Sequence, residues 1–305
     1  MFPALLATLC FALSAVCGHR AAKLVGGTET NFWRLVVATL CLAAWAYSFG
    51  GGLSGAALPV FALSGLVGIG VGDVALYQAL PRLGSRLTSL LLQCLTTPFA
   101  AAIEWLWLGT RLTGAEILCD VVILTGVALA LSSGSHLQLT RAQVSQGLAF
   151  VGVAAFGNAL GMVLSRKAYA VAAAAGESLD GGTAAFQRLT GGLLLAGVVL
   201  LVVRHKEVSA HLATPSFSTA ESRAKWRHAW PWVLVNGLAG MTLGVSCLQW
   251  ALQTTPTGIV SPIVAITPLA VIPLAWHFEG ERVTQRSLLG GLVAVAGTVA
   301  LAWLR

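Results

Sequence analysis

Apolar runs separated by short polar turns cover almost the whole chain. They lie at about residues 2–18, 30–49, 57–80, 84–108, 114–133, 147–168, 183–203, 229–252, 257–278 and 287–304. Most reach the ~20 residues an α-helix needs to cross a hydrocarbon core, so the pattern predicts ten transmembrane helices. Most linkers are only a few residues long, which makes neighbouring helices antiparallel. The first run lacks a positive flank, and Val16 before Cys17 spoils a lipoprotein cleavage site, so it reads as a helix rather than a signal peptide. The one sizeable insert, 204–228, is polar and basic with Pro215 and several serines, and is expected to be a flexible loop.

The pattern also repeats. The stretch from Thr97-Pro98 to Gly109-Thr110-Arg111-Leu112-Thr113 returns as Thr267-Pro268 to Gly280-Glu281-Arg282-Val283-Thr284, each followed by an apolar helix with a central glycine, Gly126 and Gly297. Upstream, Ala75-Leu76-Tyr77-Gln78-Ala79-Leu80 is answered by Cys247-Leu248-Gln249-Trp250-Ala251-Leu252, and Trp33-Arg34-Leu35 by Gln187-Arg188-Leu189. Features in one order in both halves indicate a tandem duplication: a first five-helix repeat over 1–135, a linker over 136–146 and a second repeat over 147–305. Five is odd, so the second repeat enters the membrane from the opposite side. Inverted repeats are the architecture of secondary transporters, whose site lies near the midplane between the halves.

Composition agrees with a membrane setting: 57% hydrophobic residues, 10% charged and a mean hydropathy of +0.83. The net charge of +7 comes from basic residues scattered singly or in short clusters between apolar runs. Positive loops beside a membrane account for it better than a nucleic-acid surface. The six cysteines lie in apolar runs without CxxC or zinc spacing, and the histidines are scattered. No metal site, cofactor or catalytic constellation is expected, and the chain reads as a non-enzyme. Gly68-Ile-Gly-Val-Gly-Asp73 lies inside an apolar helix with no strand before it, so it is a packing surface rather than a nucleotide loop.

Ionisable groups inside spans are costly and turn toward protein or water. Asp73 is a candidate for proton coupling or for binding a substrate amine; the alternative is a packing pair with Arg34 or Arg20. Arg34 and Arg188 stand at equivalent places in the two halves, where a guanidinium fork suits a carboxylate or phosphate, or snorkels to the interface. Tyr77, Gln78, Asn158, Gln249 and Trp250 are candidate substrate contacts or interhelical hydrogen-bonding groups, as are Gln93 and Asn236. Glu104, between tryptophans near a span end, reads as a boundary residue. Glu116 and Asp120 read as helix N-terminal carboxylates. Pro98 and Pro268 break helical hydrogen bonds and free the carbonyls of Cys94 and Val264.

These features resemble the EamA-type members of the drug/metabolite transporter superfamily over nearly the whole chain. The resemblance rests on Arg34 and Arg188, the Gly70 to Leu80 stretch, the Pro98 and Pro268 helices, Gly157-Asn158 and Gly280-Glu281-Arg282. The first repeat departs from the pattern: it lacks the glutamate at Gly109-Thr110-Arg111 and a tryptophan-glycine pair in its first helix. The resemblance implies ten helices in two inverted five-helix repeats around a central cavity, in the plasma (inner) membrane. The expected function is alternating-access transport, outward, of a small organic metabolite. Cationic candidates outnumber acidic ones near the cavity, so a zwitterionic or anionic, amino-acid-like solute is favoured over a cationic drug. The other reading is a membrane-embedded binding or assembly protein that keeps the scaffold without transport. The expected partners are the metabolite and the lipid bilayer, and a monomer suffices. Orientation stays open, because the excess of Lys and Arg in the odd-numbered loops puts the termini outside while the resemblance puts them inside.

Overall fold

A computed structural model describes residues 1–110, 112–131, 140–211, 219–279 and 285–304, and these contain helices and turns but no strand. Arg111, the Gly280 to Thr284 motif and residues 136–139 of the expected linker lie outside the described residues. The helical stretches are α1 (Phe2–Val25), α2 (Gly27–Phe49), α3 (Leu58–Gly84), α4 (Thr88–Leu108), α5 (Gly114–Leu131), α6 (Arg141–Ala174), α7 (Gly181–His211), α8 (Arg223–Thr254), α9 (Thr257–Leu274) and α10 (Gln285–Trp303). Eight of them, all but α5 and α10, are long and apolar enough to cross a membrane; a shorter apolar stretch, Leu289–Leu301, lies within α10. The protein is a multi-pass membrane protein.

Several boundaries differ from the hydropathy reading, each for a local reason. The first helix runs past residue 18 to Val25, carrying His19, Arg20 and Lys23 in about two extra turns. A helix satisfies its own backbone wherever it leaves the lipid, so polar residues need not end it. Gly26, at φ 90°, makes the sharp turn into α2. Gly84, at φ 80°, is the only interruption between α3 and α4. The basic insert expected to be a loop is helical in its described parts, as α7 continues to His211 and helix resumes at Thr219. Arginine and lysine are good helix formers. The start of α6 is set by a capping box, in which the Thr140 hydroxyl accepts from the Gln143 amide and the Gln143 side chain from the Thr140 amide.

The bundle buries small residues and shows large ones to the lipid. Ala4, Ala7, Ala38, Ala154, Ala159 and Ala184 are fully buried, whereas Leu9, Leu40, Leu106, Leu194 and Leu201 are exposed. Lipid tails are as apolar as leucine, so close backbone packing at small residues, rather than hydrophobicity, holds such helices together. Helices of the two halves interleave: α1 packs on α8 and α9, α6 on α3 and α4, α2 on α7 and α5 on α10.

Two of the interleaved helices change their winding at mid-length. In α3, Leu66–Val71 is π-helical, and in α8, Gly237–Gly244 is. Each wide turn lies against a helix that carries one of the paired arginines. A Cβ at Gly65 would stand 1.6 Å from the Arg188 carbonyl oxygen, and one at Gly237 2.9 Å from that of Arg34. Only glycine lets the backbones approach so closely.

Candidate functional site

The two wide turns flank a cavity of about 150 Å³ in the middle of the bundle, lined by residues of α1, α2, α3, α4, α6, α7, α8 and α9. Its polar side chains include Arg34, Asp73, Tyr77, Gln93, Asn158 and Arg188, and its apolar wall includes Phe11, Ile69, Met162 and Val245. The lining reaches Leu80 and Ser89, close to the Gly84 break, so the space extends toward the α3–α4 turn.

Arg34 is 3% exposed and held by three residues. Its Nη2 donates to Asp73 Oδ2 at 2.7 Å, and its Nε and Nη2 donate to Asn31 Oδ1 at 3.0 and 2.9 Å. The guanidinium lies 4.4 Å from the centre of the Tyr77 ring, a cation–π contact. Tyr77 is fixed in turn, as its hydroxyl accepts from Asn236 Nδ2 at 2.7 Å and Asn236 Oδ1 accepts from Ser14 at 2.7 Å. One continuous network therefore joins α1, α2, α3 and α8. Asp73 is the partner of Arg34, while Arg20 lies over the Trp232 ring, 4.6 Å from its centre. Arg34 does not snorkel to the interface.

Arg188 is equally buried, at 3% exposure, yet it has no ion pair within 4 Å among the described residues. Its Nε is buried without a hydrogen-bond partner. Its guanidinium rests over two bare backbones: a Cβ at Gly68 would meet Nη2 at 2.6 Å and one at Gly161 at 2.9 Å. Asp73 acts on it only through its field.

The other candidates scatter. Asn158 is half-buried in the cavity wall. Gln78 lies nearer the α1–α2 turn, donating to Thr28 at 3.3 Å and accepting from Arg82 at 3.3 Å. Gln249 is fully buried outside the lining with both ends of its amide unsatisfied, and Trp250 turns outward, 52% exposed. Pro98 sits inside the continuous α4 beside Thr97, whose hydroxyl is 3.1 Å from that of Ser261. At Pro268 the helix stops at Val264 and restarts at Thr267, and the Thr267 hydroxyl caps the freed Val264 carbonyl at 2.6 Å. Both Val264 and Thr267 line the cavity.

Glu104 is not at a lipid boundary. It is 2% exposed and takes a hydrogen bond from the Gly258 amide at 3.1 Å. The span-end position suggested an interfacial residue, but the packing of α4 on α6 and α9 encloses it. Asn31 and Ser14 were not singled out in the sequence. Asn31 stands three residues before Arg34, one helical turn, and that spacing was the available signal.

The chain matches the sequence model of the EamA-like transporter family twice, over residues 1–132 and 145–303. A probable terminal-alkyne amino-acid exporter of Streptantibioticus cattleyicolor is 33% identical over 72 residues, and the match spans 24% of each chain. A probable 4-amino-4-deoxy-L-arabinose-phosphoundecaprenol flippase subunit, ArnE, of Salmonella paratyphi C is 30% identical over 113 residues, which are 35% of this chain and 96% of the subunit. A solved structure described only as "Crystal structure of protein" superposes with a TM-score of 0.70 at 14% identity, covering 99% of this chain and 96% of its own, and shows the fold alone. With family matches in both halves of an apolar helical bundle, the protein belongs to the EamA-like transporter family.

Proposed function

We propose that this membrane transporter is a secondary transporter, not an enzyme, which exports a small zwitterionic or anionic, amino-acid-like metabolite across the plasma membrane by alternating access. The observation that carries the reading is Arg188, a buried guanidinium on the cavity wall without a partner of its own. Two guanidiniums face one carboxylate there, so the cavity wall has an excess of positive charge. A solute with an acid group supplies what is missing, and Arg is the residue best shaped to take it. The cavity is smaller than the ~300–1,000 Å³ of sites for drug-sized ligands, in keeping with a solute of metabolite size. Both relatives are named for compounds that combine an amine with an acid group, an amino acid in one case and an amino sugar carried on phosphoundecaprenol in the other.

Alternating access draws support from symmetry. The contacts come in exchanged pairs, α1 with α8 and α6 with α3, α1 with α9 and α6 with α4, while α2–α7 and α5–α10 pair across the middle. Two five-helix repeats, one inverted relative to the other, produce that set, and the matching π-turns in α3 and α8 fit the same relation. Asp73 is the candidate coupling group, with release of its proton linked to its hold on Arg34.

Efflux of labelled amino acids and organic acids from proteoliposomes tests the proposal. The natural protein is expected to move one defined class, with Arg188→Ala reducing flux about a hundredfold and Asp73→Asn removing its dependence on a proton gradient. Flux of cationic drugs alone, insensitive to Arg188, would refute it.

A further inference from the structure

Among the described residues, a second set of buried polar groups stands without partners beyond the cavity, in the seam where α4, α6, α8 and α9 meet. Glu104 Oε1 faces Arg166 Nε at 3.4 Å, too loosely for a hydrogen bond, and both atoms are buried and unsatisfied. Each residue is anchored by its other end, Glu104 by the Gly258 amide and Arg166 through Nη1 to the Leu252 carbonyl at 3.2 Å. One turn along α6 from Arg166, the Tyr169 hydroxyl has no partner. One turn back along α8 from Leu252, neither end of the Gln249 amide has one, and the Thr257 hydroxyl just beyond the α8–α9 turn is in the same state. One turn back along α6 from Arg166, Met162 lines the cavity, which joins this seam to the cavity wall.

Buried polar groups are normally satisfied, and in a membrane interior apolar side chains would fill such a seam at lower cost. Groups that are kept but unmatched serve a ligand or another conformation. The seam leads away from the Gly84 side of the cavity and ends at the α8–α9 turn. Its charges form an ion pair with one free acceptor and one free donor. That is the complement of a molecule carrying both an ammonium and an acid group.

Resting on the transport reading above, we infer that the seam is the solute's route between the cavity and the α8–α9 end of the bundle. Glu104 and Arg166 form a second station there, taking the ammonium and the acid group of a zwitterion, and their own loose pair closes the route when no solute is passing. The solute exchanges one weak ion pair for two well-formed ones, so passage of a zwitterion opens the gate and a solute lacking either charge does not.

The test reads the gate without needing the solute. The full chain, with its six cysteines replaced by serine or alanine and Thr257→Cys introduced, is placed in nanodiscs, and its modification by an impermeant methanethiosulfonate is timed. With the pair intact the buried thiol should react slowly. Glu104→Gln, which keeps the bond to the Gly258 amide and removes the charge, should speed labelling about tenfold, the response of a two-state gate to a modest change in its closing contact. Arg166→Met removes the other partner and carries the test if Glu104→Gln fails to fold. Unchanged labelling in the folded variants overturns the gate. In proteoliposomes, a pool of labelled amino acids should cross about tenfold more slowly in Glu104→Gln while its equilibrium binding is retained; unchanged flux overturns the second station. If the natural protein moves none of the pool, the transport reading fails by itself, and the labelling still decides whether the seam opens.

Discussion

Arg34 and Arg188 hold the same place in the two halves of the molecule, each beside a π-turn of a glycine-rich helix, yet their surroundings differ. Around Arg34 stand Asn31, Asp73 and Tyr77. The positions that answer these in the second half hold Ala185, Val245 and Gln249. The two halves seat a guanidinium at matching places, and a counter-charge stands within 4 Å of only one of them among the described residues. The satisfied arginine, through Tyr77 and Asn236, ties helices of both halves together; the unsatisfied one is the proposed seat for the solute's acid group.

The largest contrast should appear in stability. Arg34→Ala leaves the Asp73 carboxylate buried without its partner, which typically costs about 3–5 kcal/mol, so thermal unfolding in detergent should move sharply down. The same change at Arg188 removes a charge that has no partner and should leave the melting temperature equal or higher. Equal destabilisation by both would erase the distinction. Ligand binding should show the reverse order. Losing Arg188 should weaken affinity for an acidic solute by about 2–5 kcal/mol, read by calorimetry. Val245→Asp would rebuild the first half's arrangement in the second. It is expected to pair with Arg188, raise stability and weaken solute binding by about tenfold or more; tighter binding would mean that Arg188 is not the acid-binding group.

The smallest effect belongs to the turn between α6 and α7. Asp180 caps α7 through the Gly182 and Thr183 amides and the Thr183 hydroxyl, and takes a further hydrogen bond from Trp45 Nε1 of α2 at 2.9 Å. Partial burial pushes its carboxyl up, but these hydrogen bonds outweigh it and hold the group below its ordinary range. A folded value below the unfolded ~3.9 contributes stability that is present above about pH 4 and is lost as pH falls through the folded value. The site is exposed, so the contribution should stay under about 1 kcal/mol. Acid melting curves of the natural protein and Asp180→Asn should differ by that much above pH 4 and converge below it.

Much of the architecture was legible because each signal was local. Hydropathy marked the helices, since a span must be apolar over its whole length. The paired Thr-Pro and Arg-Leu stretches marked the duplication. Boundaries were less legible, because helical hydrogen bonding continues into the interface: α1 outran its apolar run by several residues, and the basic segment after residue 203 is helical in its described parts. Within the site, Arg34 and Asp73 stood out as charges in apolar helices, but their pairing did not. Gln249 and Trp250 adjoin in sequence, yet a helix turns ~100° between neighbours, so one is fully buried and the other more than half exposed. Glu104 looked interfacial by position and is enclosed by its neighbours.

The sequence by itself determined that this is a membrane-embedded, duplicated helical protein, because apolar length and internal repetition are properties of the chain alone. Only the tertiary structure decided which charges are satisfied. An ion pair depends on distances between atoms 39 residues apart, as in Arg34 and Asp73, or 62 apart, as in Arg166 and Glu104. No periodicity along one helix contains those distances, and they decide whether a buried arginine is paired or stands without a counter-charge.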